Sequence, residues 1–263
     1  GAQAIGMGGA YTAIAKDASS MYWNPAGIAR VSSREFYFDH SNWLADLQYD
    51  YSGLILPLQY SSAIGFNITS LSMPEMNVTR YGEENTGETF KAGSYAFGFV
   101  GAINLTYRFS IGFNIKYIKE YISKSYASAI ALDIGTLFNT KLGPTIGMSI
   151  SNFGPKLKIN GTDLLITTND ISNNPDINAN LSTEEFNLPL CMRFGIANTF
   201  VMNSVDLLIA IDAVSPIDNS EYVNLGAELS FFDKLFLRTG MKSLFMIDRE
   251  EVIAFGGGIK MHL

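Results

Sequence analysis

The sequence predicts an all-β fold: a transmembrane, up-and-down antiparallel β-barrel with a short N-terminal helical plug. Three observations predict it. About a dozen segments alternate large apolar residues with small or polar ones. Charged residues make up only 16% of the chain while aromatics reach 13%, against roughly 25% charge in an ordinary soluble domain. The links between segments run short and long by turns, as periplasmic turns and outside loops do in such barrels.

The first 33 residues stand apart from this pattern. The stretch "AIGMGGAYTAIAKDASSMYWNPAGIARVS", Ala4 to Ser32, is rich in Gly and Ala. Its glycines, Gly6, Gly8 and Gly9, invite comparison with a dinucleotide-binding loop. That loop must follow a strand and open a βαβ unit. Nothing strand-like precedes Gly6, and the chain beyond has an antiparallel pattern, so the nucleotide reading fails. Ala13 to Met21 suits one or two helical turns, broken by Lys16 and Asp17. Pro25 disfavours helix at Asn24, and Gly27 permits a turn with unusual dihedrals. Asn24, Pro25, Ala26 and Gly27 then form the corner before the wall begins. Too polar and too short to span lipid, residues 1–33 are expected to fold back into the lumen as a plug or hatch. A periplasmic tail is the alternative.

From residue 34 to residue 263 the period is two. Side chains alternate across a strand, so each run has two faces. Ser94 to Arg108 puts Tyr95, Phe97, Phe99, Ile103, Leu105 and Tyr107 on one face and small or polar residues on the other, and reads as one long strand. Ser110 to Tyr117 sets Ile111, Phe113, Ile115 and Tyr117 against Ser110, Gly112, Asn114 and Lys116. Leu190 to Ala197, Val205 to Asp212, Val223 to Phe231, Leu235 to Lys242 and Ile253 to Met261 repeat the scheme. Weaker runs lie near 35–41, 48–56, 63–71, 126–139 and 144–152. Many of these runs match the ~9–11 residues of a tilted membrane strand. Soluble strands are usually ~5–6.

The links carry the topology. A long polar one covers Ser72 to Lys91, and a very long one Gly154 to Asn187, rich in Asn, Asp, Thr and Ser. Ser123 to Ser125 is the one exception to the alternation. The count places the N-terminus on the periplasmic side and makes 154–187 a solvent-exposed outside loop. A soluble β-sandwich also alternates, but its water-facing positions carry Lys, Glu, Thr and Arg. Here the second face is Gly, Ala and Ser with isolated charges, which suits a narrow lumen.

Charge and composition narrow the function. The net charge is −7 and no basic cluster exists, so nucleic acid is not a partner. A single cysteine, Cys191, forbids an internal disulfide. His40 and His262 are far apart and lack ligand-spaced companions, so no metal or cofactor is implied. No run approaches the ~18–20 apolar residues of a membrane helix. No nucleophile–base arrangement or carboxylate dyad is found, and Asp206 and Asp212, six residues apart on one strand face, are ~20 Å from each other. The chain is not read as an enzyme. The isolated lumen charges, Lys116, Asp133, Arg193, Asp206, Asp212, Glu228, Arg238 and Lys242, are expected to form a salt-bridge lattice. Leu244, Phe245, Met246 and Ile247 are oddly apolar for an outside loop, and form a candidate docking patch or an extension of a strand.

With the barrel in place, "GMGGAYTAIAKDASSMYWNPAGIA" resembles the N-terminal signature of the PorV/PorQ-type outer-membrane proteins, within the FadL-like superfamily. "FSIGFNIKYIKEYI", "SAIALDIGTLF", "LGPTIGMSISNFG", "LPLCMRFGIA", "VNLGAEL" and "LFLRTGM" follow in the family's order. The resemblance implies a bacterial outer-membrane barrel of 14 strands with the N-terminal segment inside it. The Asn-Pro-Ala of the FadL hatch falls on Asn24, Pro25 and Ala26. In the PorV branch the barrel serves type IX secretion, meeting a large secretion barrel and secreted cargo proteins, which makes protein transport through rim and outside loops the first functional reading. The second, from the FadL relatives, is uptake of a hydrophobic small molecule. Outer-membrane lipid is a partner in both. About 12 strands are visible, and the end "GGGIKMHL" lacks a terminal aromatic. Either a further C-terminal hairpin follows or the barrel is smaller.

Overall fold

The computed structural model describes residues 1–43, 46–59, 61–82, 86–168, 177–203, 205–246 and 253–261. Twelve long strands form one antiparallel meander: β1 (Glu35–Asn42), β2 (Gln48–Leu58), β3 (Ser62–Ser72), β4 (Ala92–Asn104), β5 (Phe109–Ile122), β6 (Ser125–Asn139), β7 (Thr145–Phe153), β8 (Cys191–Met202), β9 (Val205–Pro216), β10 (Tyr222–Phe231), β11 (Leu235–Leu244) and β12 (Ile253–Ile259). Each pairs with the next in chain order. The two additional strands that the resemblance implies are not among the described residues, where β1 and β12 each have a single long partner. Among the described residues, no helix is long and apolar enough to cross a membrane.

The alternation works inside out. Phe66, Phe99, Phe113, Ile115, Phe194 and Ile196 point outward and stay exposed, while Ala63, Asn67, Val100, Ser110, Asn114, Ala127, Ser149, Ala210 and Glu228 of the opposite parity are buried. A water-facing sheet would bury the large apolar set. A wall whose large apolar residues face out and whose small residues face a filled lumen is the transmembrane barrel arrangement.

Several strand boundaries differ from the sequence reading: β5, β8 and β9 run four or five residues past the alternating runs read for them, and β4 is shorter. The alternation of Ser94 to Arg108 reads through to Arg108, but β4 ends at Asn104. Thr106 Oγ1 accepts from the Phe109 N–H at 3.0 Å and closes a turn there. Alternation persists through the turn because Leu105 and Tyr107 remain exposed.

Two ladders slip register near the loop end of the wall. Between β6 and β7 the shift falls at Leu132/Ile134, where Asn152 has φ +63° and Asp133 accepts its N–H at 2.7 Å. Between β10 and β11 it falls at Val223/Leu225, where Asn224 Oδ1 accepts the Ser243 N–H at 3.0 Å. In both bulges an inward polar side chain satisfies a backbone donor that the ladder has lost.

The segment 154–187 is only partly the exposed loop its composition suggests. Leu157 and Leu188 are buried against the inward Ala127, Ala129 and Ala131 of β6, with Ile159 and Phe186 beside them. Asn160 and Gly161 pair with Tyr126 and Ser125 on the edge of β6. Both ends of the loop therefore fold back over the lumen face. The apolar residues at alternate positions 157 and 159 explain why: a row of alanines leaves room there that water would fill unfavourably. Residues 169–176 lie outside the described residues.

Candidate functional site

The lumen is filled by the N-terminal segment. It holds two short helices, α1 (Ala2–Gly6) and α2 (Ser20–Trp23), and a 3-10 helix over Pro25–Arg30. The helical turns expected over Ala13 to Met21 lie mostly elsewhere; Tyr11 to Ala15 form a turn closed by Ile14 and Ala15 N–H bonds to Tyr11 O. Each helical piece is too short to stand alone, so packing against the wall fixes its shape. Met7, Ala10, Tyr11, Thr12, Met21, Asn24, Ala26 and Ile28 are fully buried.

Close approach of backbone to backbone is what lets this segment fit. Wall glycines face it in register pairs: Gly112 with Gly135, Gly147 with Gly195, and Gly226 with Gly240. A side chain on Gly240 would collide with the backbone of Met7 and Gly8, one on Gly147 with Thr12, and one on Gly135 or Gly112 with Asn24 and Pro25. The segment thus lies on a belt of bare backbone. Within the segment itself, Gly8 (φ +64°) and Gly9 (φ +82°) adopt the left-handed conformation, which glycine takes without strain. Gly6 packs on Gly256 of β12, where an added Cβ would stand 3.2 Å from its Cα. Gly27 has a different role from the one its sequence context suggests. Its φ is not in the left-handed region; an added Cβ would strike Ala15 O and the Ser20 side chain.

A few polar tethers hold the segment in place. Asn24 Nδ2 donates to Thr12 O at 2.8 Å and to Thr136 O of β6 at 3.0 Å. Its Oδ1 accepts the Ala26 N–H at 3.2 Å, capping the 3-10 helix, with Pro25 at the position where a missing N–H costs nothing. Asp212 Oδ2 on β9 accepts the N–H groups of Tyr11 (2.9 Å) and Thr12 (2.8 Å). Asp17 folds over its own turn and accepts from Ser19 N and Oγ at 2.8 and 2.6 Å. Arg30 donates to Ser110 Oγ at 2.9 Å and to Asn139 Oδ1 at 2.7 Å. At the start of the chain, the Ala2 N–H donates to Tyr37 Oη at 3.1 Å. Helix α1 therefore runs between the first strand and the last. Burial pushes the Tyr11 hydroxyl well above the ordinary tyrosine range, so it stays neutral.

The expected lattice of lumen charges separates into distinct units. Lys116 and Asp133 pair at 2.8 Å, with Asn114 Nδ2 donating to Asp133 at 3.0 Å. Glu228 and Arg238 form a second pair, to which the segment contributes Gln3 (2.7 Å) and Lys16 (3.6 Å). Arg193 makes no ion pair among the described residues; it donates to Ser151 Oγ at 3.1 Å and lies 5.5 Å from the Trp23 ring centroid, a cation–π arrangement. Asp212 is tied to backbone rather than to a cation. Asp206 is half-buried near the far end of β9, and Lys242 is exposed. Gln3, Lys16, Arg30 and the glycine belt escape the sequence reading. The belt leaves one faint sign, a lone glycine at inward parity near the middle of most strands.

Three of the four residues of the apolar loop patch lie among the described residues. Leu244 closes β11 and is half-buried, as is Met246, while Phe245 is exposed with φ +71°. Ile247 lies outside the described residues, as does His262. His40 pairs with Asp50 at 2.7 Å on the exposed face of β1 and β2. A concavity of about 600 Å³ runs beside Phe245. Three consecutive residues from each of β6, β7, β8 and β9 line it, centred on Gly135, Ser149, Arg193 and Val214. The central residue of each trio points inward and its neighbours point outward. The floor is therefore backbone, and the groove lies on the outer face of the wall.

Residues 1–119 match an uncharacterised protein family, UPF0164. No curated protein matches the sequence. Among solved structures, the Pseudomonas putida toluene transporter TodX is similar over 99% of this chain and 89% of its own, with a TM-score of 0.61 at 11% identity. The CymD monoaromatic hydrocarbon channel is similar over 91% and 82%, with a TM-score of 0.57 at 14% identity. A FadL homologue from Pseudomonas aeruginosa is similar over 97% and 83%, with a TM-score of 0.51 at 10% identity. At these identities the likeness establishes the fold: an antiparallel barrel wall of the FadL kind around an inserted N-terminal segment.

Proposed function

We propose that this chain is an outer-membrane barrel for uptake of hydrophobic small molecules, with its N-terminus on the periplasmic side and residues 1–33 as a hatch that closes the lumen at rest. The observation that carries this reading is how the hatch is seated. It rests on bare glycine backbone and is held by a few discrete tethers, Asn24 and Asp212 foremost. On this reading the segment moves between a seated and a released arrangement, as inserted segments and loops do in other switching proteins. The apolar groove on the outer face offers a surface where a hydrophobic molecule and membrane lipid exchange. The fold likeness to hydrocarbon channels supports the same reading.

The alternative, a type IX secretion component meeting a large secretion barrel and cargo through its outside loops, follows from the PorV/PorQ resemblance and would be favoured by a broad apolar loop patch. Of the patch, Phe245 is exposed and Leu244 and Met246 are half-buried, and none of the similar solved structures named above is a secretion component.

The uptake reading is tested by cells whose outer membrane carries the protein. Radiolabelled toluene should enter faster than in cells with an empty vector at matched lipid content. An uptake rate equal to that control, with the barrel shown to be folded in the membrane, overturns the proposal.

A further inference from the structure

A second concavity, of about 360 Å³, lies at the loop end of the lumen between β3 and β6. Its lining is mixed in a way the outer groove is not. Leu71, Ile122, Ala127 and Ile159 give it an apolar body, and Glu120 and Ser125 add polar atoms. The parity of Glu120 and Ala127 is inward, and Ile159 is part of the folded-back loop that packs on Ala127. The pocket is therefore on the lumen side, roofed by the chain's own long loop.

Two features point to a ligand of defined chemistry. Glu120 has no cation or hydrogen-bond donor among the described residues. The lysines near it in sequence are engaged elsewhere: Lys116 with Asp133, and Lys119 over the Tyr126 ring on the outward face. Ser125 is 5% exposed, and its hydroxyl lacks a hydrogen-bond partner among the described residues. The half-buried carboxylate gains a charge-assisted bond from an incoming donor, and the buried hydroxyl gains a partner whose lack is costly.

We infer that this pocket is a first docking site for a small apolar molecule that bears a hydrogen-bond donor, an ammonium group most of all, with Glu120 as the recognising group and Ser125 as a second partner. Its volume suits one aromatic ring with a short side chain. The apolar body packs on Leu71, Ile122 and Ile159, and the donor reaches the Glu120 carboxylate in a charge-assisted hydrogen bond. The inference rests on the uptake reading for where the ligand goes next, but not for its binding.

The test is equilibrium binding to the purified full chain in detergent, with four probes of one shape: phenethylamine, 2-phenylethanol, ethylbenzene and phenylacetate. The expected order is phenethylamine tightest, then 2-phenylethanol, then ethylbenzene, with phenylacetate weakest. Glu120→Gln should weaken phenethylamine about tenfold and leave ethylbenzene unchanged. Glu120→Lys should reverse the ranking of phenethylamine and phenylacetate. Equal affinity for all four probes on the unmodified protein, or a ranking that survives both substitutions in folded barrels, overturns the inference. Selective binding without toluene uptake by cells would sink the uptake reading and leave the docking site standing.

Discussion

Asn24 and Asp212 do comparable work from opposite sides of the same contact. Asn24 belongs to the inserted segment and donates to the wall at Thr136 O; Asp212 belongs to the wall and accepts from the segment at Tyr11 and Thr12. Each satisfies buried backbone groups of the inserted segment, Thr12 O for Asn24 and the Tyr11 and Thr12 N–H groups for Asp212, so truncation leaves orphans rather than merely removing a bond. Asn24→Ala should destabilise the seated segment by about 1–3 kcal/mol. Protease cleavage within residues 1–30 should then rise while the heat-resistant mobility of the folded barrel stays unchanged. Unaltered cleavage would mean that Asn24 is not a tether. The Asn24-Pro25 motif was legible as a special corner, because few residue pairs cap and start a helix so specifically. The partner Thr136 was not, because nothing in a local pattern reports a carbonyl 112 residues away.

Between elements, the decisive contact is that of the segment with the glycine belt. The sequence shows small residues on one strand face, and so implies a crowded lumen. It does not show that the glycines fall beside one another across strands, since register comes from pairing. Gly240→Ala places a methyl group against Met7 and Gly8 and should cost about 1–3 kcal/mol through overpacking. Gly101→Ala, on β4 with nothing near its added Cβ, should be silent. Thermal unfolding of both variants in the same detergent provides the comparison, and equal midpoints would remove the belt's role. The loop 154–187 teaches the converse. Its polar composition suggests full exposure, yet Leu157, Ile159, Phe186 and Leu188 at its two ends fold inward. The alanine row that receives them lies on a strand some thirty residues or more away.

For the molecule as a whole, the outward face and the filled lumen make separate predictions. Phe113 is exposed on the wall and belongs to the apolar surface. Phe113→Arg should destabilise the lipid-embedded barrel by about 2–4 kcal/mol if its position is near the bilayer midplane, measured by reversible unfolding from liposomes. No loss would argue against a lipid-facing wall. The intact chain should show negligible conductance in planar bilayers, and deletion of residues 1–30 should raise it. Steady porin-like conductance from the intact chain would contradict a filled lumen.

The sequence by itself determined the inside-out alternation, about a dozen strands with several of their ends four or five residues off, and a distinct N-terminal segment. All of these are written in neighbours two residues apart, because a strand's side chains alternate whatever lies beyond it. Only the tertiary structure decided that the lumen charges divide into separate units and that Asp212 grips backbone. It also decided that Gly27 serves close approach rather than an unusual dihedral, and that part of the long loop roofs the pocket by Glu120. Those outcomes depend on which surfaces meet across the lumen, where partners such as Tyr11 and Asp212 stand 201 residues apart. Packing at that range follows shape and the satisfaction of buried groups, which no local period encodes.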